Sequence, residues 1–249
     1  VASPDNPQAI ALLASSVLQH GDVERARLLF IKTNELAPGF PEVVSLLGGA
    51  ELNACDFDNA GRHLREAVEL EPERANNQFN LSLYLLMTGD LAAGWDAYEY
   101  GLDTEQRELP WYFSRWAGQP LAGRTVYVSA EQGLGDEVMF AACLPDLLGE
   151  LNNGPPSADG RCIVGCDPRL RGLFARSFPG VQVLSDLKAT GGAPGTTLGQ
   201  VDYQIAIGSL AWRYRRTESN FSARRSYLVA QEGLRNECRE RLGRLKPGL

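Results

Sequence analysis

Glycines, carboxylates and a glutamine crowd together at Glu131-Gln132-Gly133-Leu134-Gly135-Asp136-Glu137, between an apolar run, TVYV, and a periodic apolar segment, VMFAACLPDLL. Gly133 and Gly135 allow a tight backbone and close approach of a ligand. The free N–H groups that open a helix favour an anion or a polar group. Asp136 falls near the N-cap or in the first turn, where three chemistries compete. Its carboxylate can simply cap the helix. It can belong to a nucleotide-binding turn, although no Lys-Ser/Thr pair follows the glycines and Val138 stands at the third glycine of the dinucleotide fingerprint. It can also be a base that takes a proton from an acceptor hydroxyl. Glu131, at the strand end, either orients this turn or merely ends the strand. A second chemically able stretch is WRYRRTESNFSARRSY, in which Arg213, Arg215 and Arg216 read as contacts to an anionic substrate or phosphate, or else as a solvated basic loop.

The elements around the turn must hold it in place. From Arg124 the pattern alternates strand and helix: RTVYVSA, then the helix DEVMFAACLPDLLGEL, then RCIVGC, PRLRGLFARSF, VQVL and DYQIAI. The strands are apolar throughout, as parallel strands covered on both faces are. A βαβ architecture with a mostly parallel sheet follows, and ligands of such sheets bind beyond the carboxyl ends of the strands. The turn around Asp136 lies at that end of the first strand.

The first hundred residues repeat themselves. Ile10, Leu13, Ala14, Val17, Gly21, Ala26, Phe30, Leu36 and Pro38 stand 34 residues before Val44, Leu47, Gly48, Glu51, Cys55, Ala60, Leu64, Leu70 and Pro72, and six of the nine pairs keep their character. A third copy carries Leu81, Ser82, Leu85, Gly89, Gly94 and Tyr98 but reads Gln106 where the closing proline belongs. Small residues at Ala26, Ala60 and Gly94 let paired helices approach, Phe30, Leu64 and Tyr98 fill the space between units, and each proline stops a helix. His20 and His63 fall here as surface or packing residues without a metal cluster. Trp95, Tyr98, Trp111, Tyr112, Phe113 and Trp116 are dense at the end of the array and read as glue towards the following domain. Two domains joined by a connector are expected: three repeats over 1–102, an aromatic-rich connector over 103–123, and an α/β domain over 124–249 that ends at a linker.

Composition bounds the function. A net charge of −7 and ordinary hydrophobic content give no field-level reason to expect nucleic acid or an anionic membrane as partner. Five cysteines at irregular spacing read as reduced thiols, and Cys162 and Cys166 lack the companions a zinc site needs. No apolar run is long enough to span a bilayer, so a cytoplasmic protein without metal or cofactor is expected. The opening Val1 and the closing RLKPGL read as the ends of a piece cut from something longer.

Two resemblances join these observations. Over roughly Asn6 to Leu102 the period resembles the tetratricopeptide repeat, which implies either a concave surface that binds a protein or peptide, or a stalk that positions the next domain. GLGDEVMFAACLPDL resembles the first βα turn of the lipopolysaccharide heptosyltransferases at Gly135, Asp136 and Pro145. The whole chain, through GWDAYEY, WAGQPLAGRTVYVSAEQGLGDEVMF and DYQIAIGSL, resembles bacterial tetratricopeptide-repeat glycosyltransferase-like proteins, distant relatives of the O-linked N-acetylglucosamine transferases.

The fold this implies is α plus α/β: helical repeats followed by one Rossmann-like half of a two-domain GT-B glycosyltransferase. The resemblance makes Asp136 the catalytic base, sets Gln132, Gly133 and Gly135 on the acceptor side, and leaves Arg213, Arg215 and Arg216 for an anionic substrate. A nucleotide-sugar donor would bind the half that this chain lacks, so the chain alone would be inactive, and a glycan is a possible acceptor. The alternative is a non-catalytic protein-interaction scaffold built on the repeats.

Overall fold

A computed structural model describes residues 5–153, 160–187, 198–221 and 226–245. Contacts divide the chain into two compact units, Val1–Glu108 and Leu109–Leu249. The stretch 103–123 is therefore shared between them.

The first unit contains helices α1 (Pro7–Gln19), α2 (Val23–Leu36), α3 (Pro41–Asn53), α4 (Phe57–Leu70), α5 (Ala75–Thr88) and α6 (Leu91–Tyr98). Each helix of a pair begins 34 residues after its counterpart, and the turns repeat as faithfully as the helices. Asp22, Asp56 and Asp90 each cap a second helix by accepting the N–H three residues on, from Arg25, Asn59 and Ala93. The residue before each of these is left-handed: Gly21 at φ 86°, Cys55 at 60° and Gly89 at 90°. Cys55 thus occupies a glycine position, at the steric cost of its Cβ.

The small positions do what the sequence asks of them. Ala26 and Ala60 are fully buried, and a Cβ on Gly94 would stand 2.7 Å from a Leu86 methyl. Phe30 and Leu64 are inaccessible, and Phe30 packs with Ala14, Ala26, Leu47 and Ala50. His63 is a packing residue: its Nδ1 lies 2.6 Å from the carboxylate of Glu51, with both side chains buried. The third repeat closes without proline. The helix α6 passes into a 3-10 turn, Glu99–Asp103, and buried Arg107 stacks 4.0 Å over the Tyr98 ring while donating to the Tyr98 carbonyl at 2.7 Å. Trp95 and Phe79 also pack on Tyr98 within this unit.

The second unit is built on a four-stranded parallel sheet of β1 (Thr125–Ser129), β2 (Arg161–Cys166), β3 (Val181–Ser185) and β4 (Tyr203–Ala206) in the order β3-β2-β1-β4. The sheet therefore grows outward from both sides of its first strand. Val126 pairs with Cys162 on one side and Tyr203 on the other. The helix expected over 136–151 is divided into α7 (Leu134–Phe140), a 3-10 turn at Ala141–Cys143 and α8 (Leu144–Leu151). Pro145 is the cause. It lacks the N–H that a continuous helix would need, so it is accommodated at the second position of a new helix. Helix α9 (Arg171–Ser177) follows β2, a short helix Ser209–Tyr214 follows β4, and an exposed helix spans Glu232–Leu245.

The residues leading into β1 belong to the sheet. Arg115 bridges Gln204 in parallel, and the N–H of Trp116 donates to the Gln204 carbonyl at 2.9 Å. The fully buried Gln204 side chain accepts from the N–H of Tyr112 at 2.7 Å and of Phe113 at 3.2 Å, and donates to the Pro110 carbonyl and to Ser129 Oγ. Phe113 packs on Tyr127 and Trp116 on Trp212. These aromatics thus make ring contacts inside the second unit, as Trp95 and Tyr98 do inside the first.

Candidate binding face of the repeats

The turn that the sequence singles out is a helix start held by its own backbone. Gln132 is left-handed at φ 57°, which swings the chain so that Gly133 becomes the N-cap of α7. The N–H of Gly133 donates to Asp136 Oδ2 at 3.1 Å, while the N–H groups of Asp136 and Glu137 return to the Gly133 carbonyl. Asp136, at the third position of the helix, thus satisfies the N-cap N–H, the one half of a capping box that is possible where the N-cap glycine has no side chain. A Cβ at Gly135 would meet nothing within 4 Å.

The buried carboxylates nearby are Glu131 and Glu137. Glu131 accepts the N–H of Gly208 at 2.6 Å, tying the end of β1 to the start of the helix after β4. Glu137 accepts the N–H of Asp167 at 2.9 Å beyond the end of β2; burial raises its pKa, opposed by that hydrogen bond. Among the described residues no group of His, Cys, Asp and Glu can hold a metal ion.

The three arginines are not gathered at this turn. Arg213 forms a two-pronged pair with Glu150 at 3.1 and 3.3 Å. Arg215 is buried, donating to the Ala142 carbonyl and to Asp146 at 2.7 Å, so it fastens the 3-10 turn and α8 to the helix Ser209–Tyr214. Arg216 is half-buried and also has a partner.

The repeats present a different kind of surface. Between α1 and α3 lies a cavity of about 320 Å³ whose wall includes Ala11, Leu12, Phe40, Val43 and Leu46. Leu12 is 74% exposed and Phe40 53%. Gln8 and Glu42, each the second residue of its helix, stand at its edge. A large aliphatic side chain three-quarters in water sits in an otherwise concave apolar wall, and surfaces of that kind mark binding sites. A signal for it exists in the sequence. Ile10, Ala14 and Val17 already supply a buried face for α1, so Leu12 and its counterpart 34 residues on, Leu46, form a second apolar row outside that face.

No protein-family model matches the chain. It is 31% identical over 259 residues to Protein FlbA of Caulobacter vibrioides, in an alignment covering 98% of this chain and 43% of FlbA. The chain thus spans less than half of that relative's length. Solved structures similar to it include the Yersinia enterocolitica type III secretion chaperone SycD in complex with a peptide of the translocator YopD. There the identity is 20% and the TM-score 0.36, covering 41% of this chain and 77% of SycD. MamA from Desulfovibrio magneticus RS-1 gives 22% and 0.36 over 40% of this chain and 56% of its own. The TPR2AB-domain:pHSP90 complex of yeast Sti1 gives 14% and 0.36 over 41% and 42%.

The first unit is a tetratricopeptide-like repeat array. Its 34-residue helix pairs, recurrent caps and small-to-large packing positions establish this within the chain itself. The expectation of a sugar-transferring fragment is corrected. The comparisons give Protein FlbA and helical-repeat proteins rather than a sugar transferase. In the second unit the Asp136 carboxylate accepts the N–H of Gly133 and Arg215 donates to Asp146. What is established of the second unit is a small parallel sheet with its helices, and the GT-B assignment is not carried further. Among the described residues, no helix is long and apolar enough to cross a membrane.

Proposed function

We propose that the chain is a protein-interaction module whose repeats hold a segment of a partner protein in the trough between α1 and α3. The carrying observation is the trough itself, an apolar wall that leaves Leu12 and Phe40 in water. Covering a Leu or Phe side chain is worth about 1.5–3 kcal/mol. Two such anchors supply at most about 3–6 kcal/mol, against roughly 8 kcal/mol for a micromolar complex, so further contacts along the groove supply the rest.

The test is selection of peptides from a random display library on the intact chain, followed by measurement of the selected peptides against Leu12→Ser and Phe40→Ser. Both side chains are exposed, so neither change threatens folding. Selected peptides are expected to bind each variant about tenfold more weakly, the equivalent of roughly 1.4 kcal/mol. Undiminished binding by both variants refutes the trough as the site.

A further inference from the structure

The two units are opposite in charge. Val1–Glu108 holds 18 Asp and Glu against 7 Lys and Arg, a net of −11, whereas Leu109–Leu249 holds 13 against 17, a net of +4. The overall value of −7 conceals this contrast. Within the first unit five of the seven cations are already paired with its own carboxylates: Arg27 with Glu24, Lys32 with Asp5, Arg62 with Glu66, Arg74 with Glu42 and Glu71, and Arg107 with Glu99. Exposed Glu35, Glu69, Glu73, Glu105 and Glu108 are among the residues that carry the excess negative charge.

Part of that charge borders the row of helix starts on which the trough lies: Glu42, paired with Arg74, at the trough, and Asp103, Glu105 and Glu108 farther along. Gln8, Glu42 and Asn76 are the second residues of α1, α3 and α5. The first two edge the apolar trough, and Asn76 borders a second hollow of about 550 Å³, lined also by Asp103, Glu105 and Glu108. A ligand lying in the trough therefore meets carboxylates as it follows the row of helix starts. Concave, low-dielectric walls concentrate such a field, and at physiological salt it reaches about 8 Å from the surface.

Resting on the reading of the trough as a peptide site, we infer that its occupant is cationic as well as apolar: an extended segment of a partner protein that sets Leu- or Phe-like side chains between α1 and α3 and carries Lys or Arg beside them. An acidic segment of equal hydrophobicity meets the same apolar wall but is repelled by the unit around it.

The probes are fluorescent dodecapeptide mixtures with Leu and Phe at fixed places among Ser, their remaining positions filled by Lys, by Gln or by Glu. A fourth mixture keeps Lys but replaces Leu and Phe with Ala. Anisotropy titrations on the intact chain at low and high salt are expected to rank Lys above Gln above Glu. The Lys mixture should exceed the Gln mixture by about tenfold at low salt, and that margin should shrink as salt rises. Leu12→Ser should weaken all three apolar mixtures by a common factor. Equal binding of the three, still weakened by Leu12→Ser, overturns the charge inference and leaves the trough standing. Indifference of every mixture to Leu12→Ser overturns the trough itself. Binding of the Lys-Ala mixture as tightly as the Lys-Leu/Phe mixture reduces the effect to unspecific attraction and also overturns the inference.

Discussion

The buried pair of Glu51 and His63 offers a test of the repeat packing with a control supplied by the chain itself. In the first repeat the equivalent residues are Val17 and Leu29, and in the third Leu85 and Ala97, all apolar and all at least partly buried. The second repeat replaces them with an acid and an imidazole 2.6 Å apart, with side-chain exposures of 4% and 9%. His63→Leu leaves a buried carboxylate without its partner, a loss of about 3–5 kcal/mol. Glu51→Val leaves the imidazole without its hydrogen-bond partner, a cost of about 1–3 kcal/mol. The double variant Glu51→Val/His63→Leu restores the pattern of the first repeat, and replacing a buried pair by well-packed apolar residues is about neutral or stabilising. The four proteins of this cycle, unfolded by heat and by urea while helix content is followed by circular dichroism, should show a coupling of at least about 2 kcal/mol. The His63→Leu midpoint should fall by roughly 12–40 °C, at 4–8 °C per kcal/mol for a unit of this size. Simple additivity of the two single changes refutes the reasoning, because the ion pair would then contribute nothing that its partners do not contribute separately.

Three further outcomes follow from the packing. Gln204→Leu keeps the volume of a fully buried side chain but strands the N–H of Tyr112 and Phe113 and the Pro110 carbonyl; at about 1–3 kcal/mol per stranded group, the second unit should unfold well before the first in a two-probe melt. A single transition unchanged from the parent contradicts this. Cys55→Gly should raise the stability of the repeats by about 1 kcal/mol in chemical denaturation, since it gives a left-handed position the residue that Gly21 and Gly89 already supply; a loss of stability refutes the strain argument. Of the five thiols, Cys55 and Cys238 are exposed, whereas burial raises the pKa of Cys143 to about 11 and of Cys162 and Cys166 to about 12. Thiol titration near neutral pH should label two groups quickly and the other three only on unfolding; prompt labelling of all five is the contrary result.

What the sequence made legible was what is local and recurrent. The 34-residue spacing, the small residues at Ala26, Ala60 and Gly94, and the breaks at Pro38 and Pro72 are all short-range rules applied several times over, and the helices follow them. The alternation after Arg124 likewise yields parallel strands. Less legible was whatever depends on partners distant in the chain. Gln204 gathers the backbone of residues 110–113 from more than ninety positions away, and Glu131 reaches Gly208 across seventy-seven. Neither pairing leaves a periodic trace. Arg215 reads like its neighbours Arg213 and Arg216 in sequence, yet it is the buried one, because Asp146 and the carbonyl freed by the break at Pro145 are waiting for it. The motif at Gly135-Asp136 carried chemistry by resemblance, whereas its local geometry carries one half of a capping box. A glycine N-cap followed three residues later by an acid was an available sign of that. The apolar row of Leu12 and Leu46 is legible in the sequence, but only the structure shows Leu12 to be 74% exposed.

The central claim is that a partner's chain lies against Leu12 and Phe40, and site-specific photo-crosslinking in the native cell addresses it most directly. A benzophenone amino acid is placed at position 12, at position 40 and, as a control, at Leu28, which is 56% exposed on α2 outside the trough. Positions 12 and 40 should yield the same protein adduct on irradiation and position 28 none. Adducts at position 28 equal to those at 12 and 40, or none at either trough position, contradict the account.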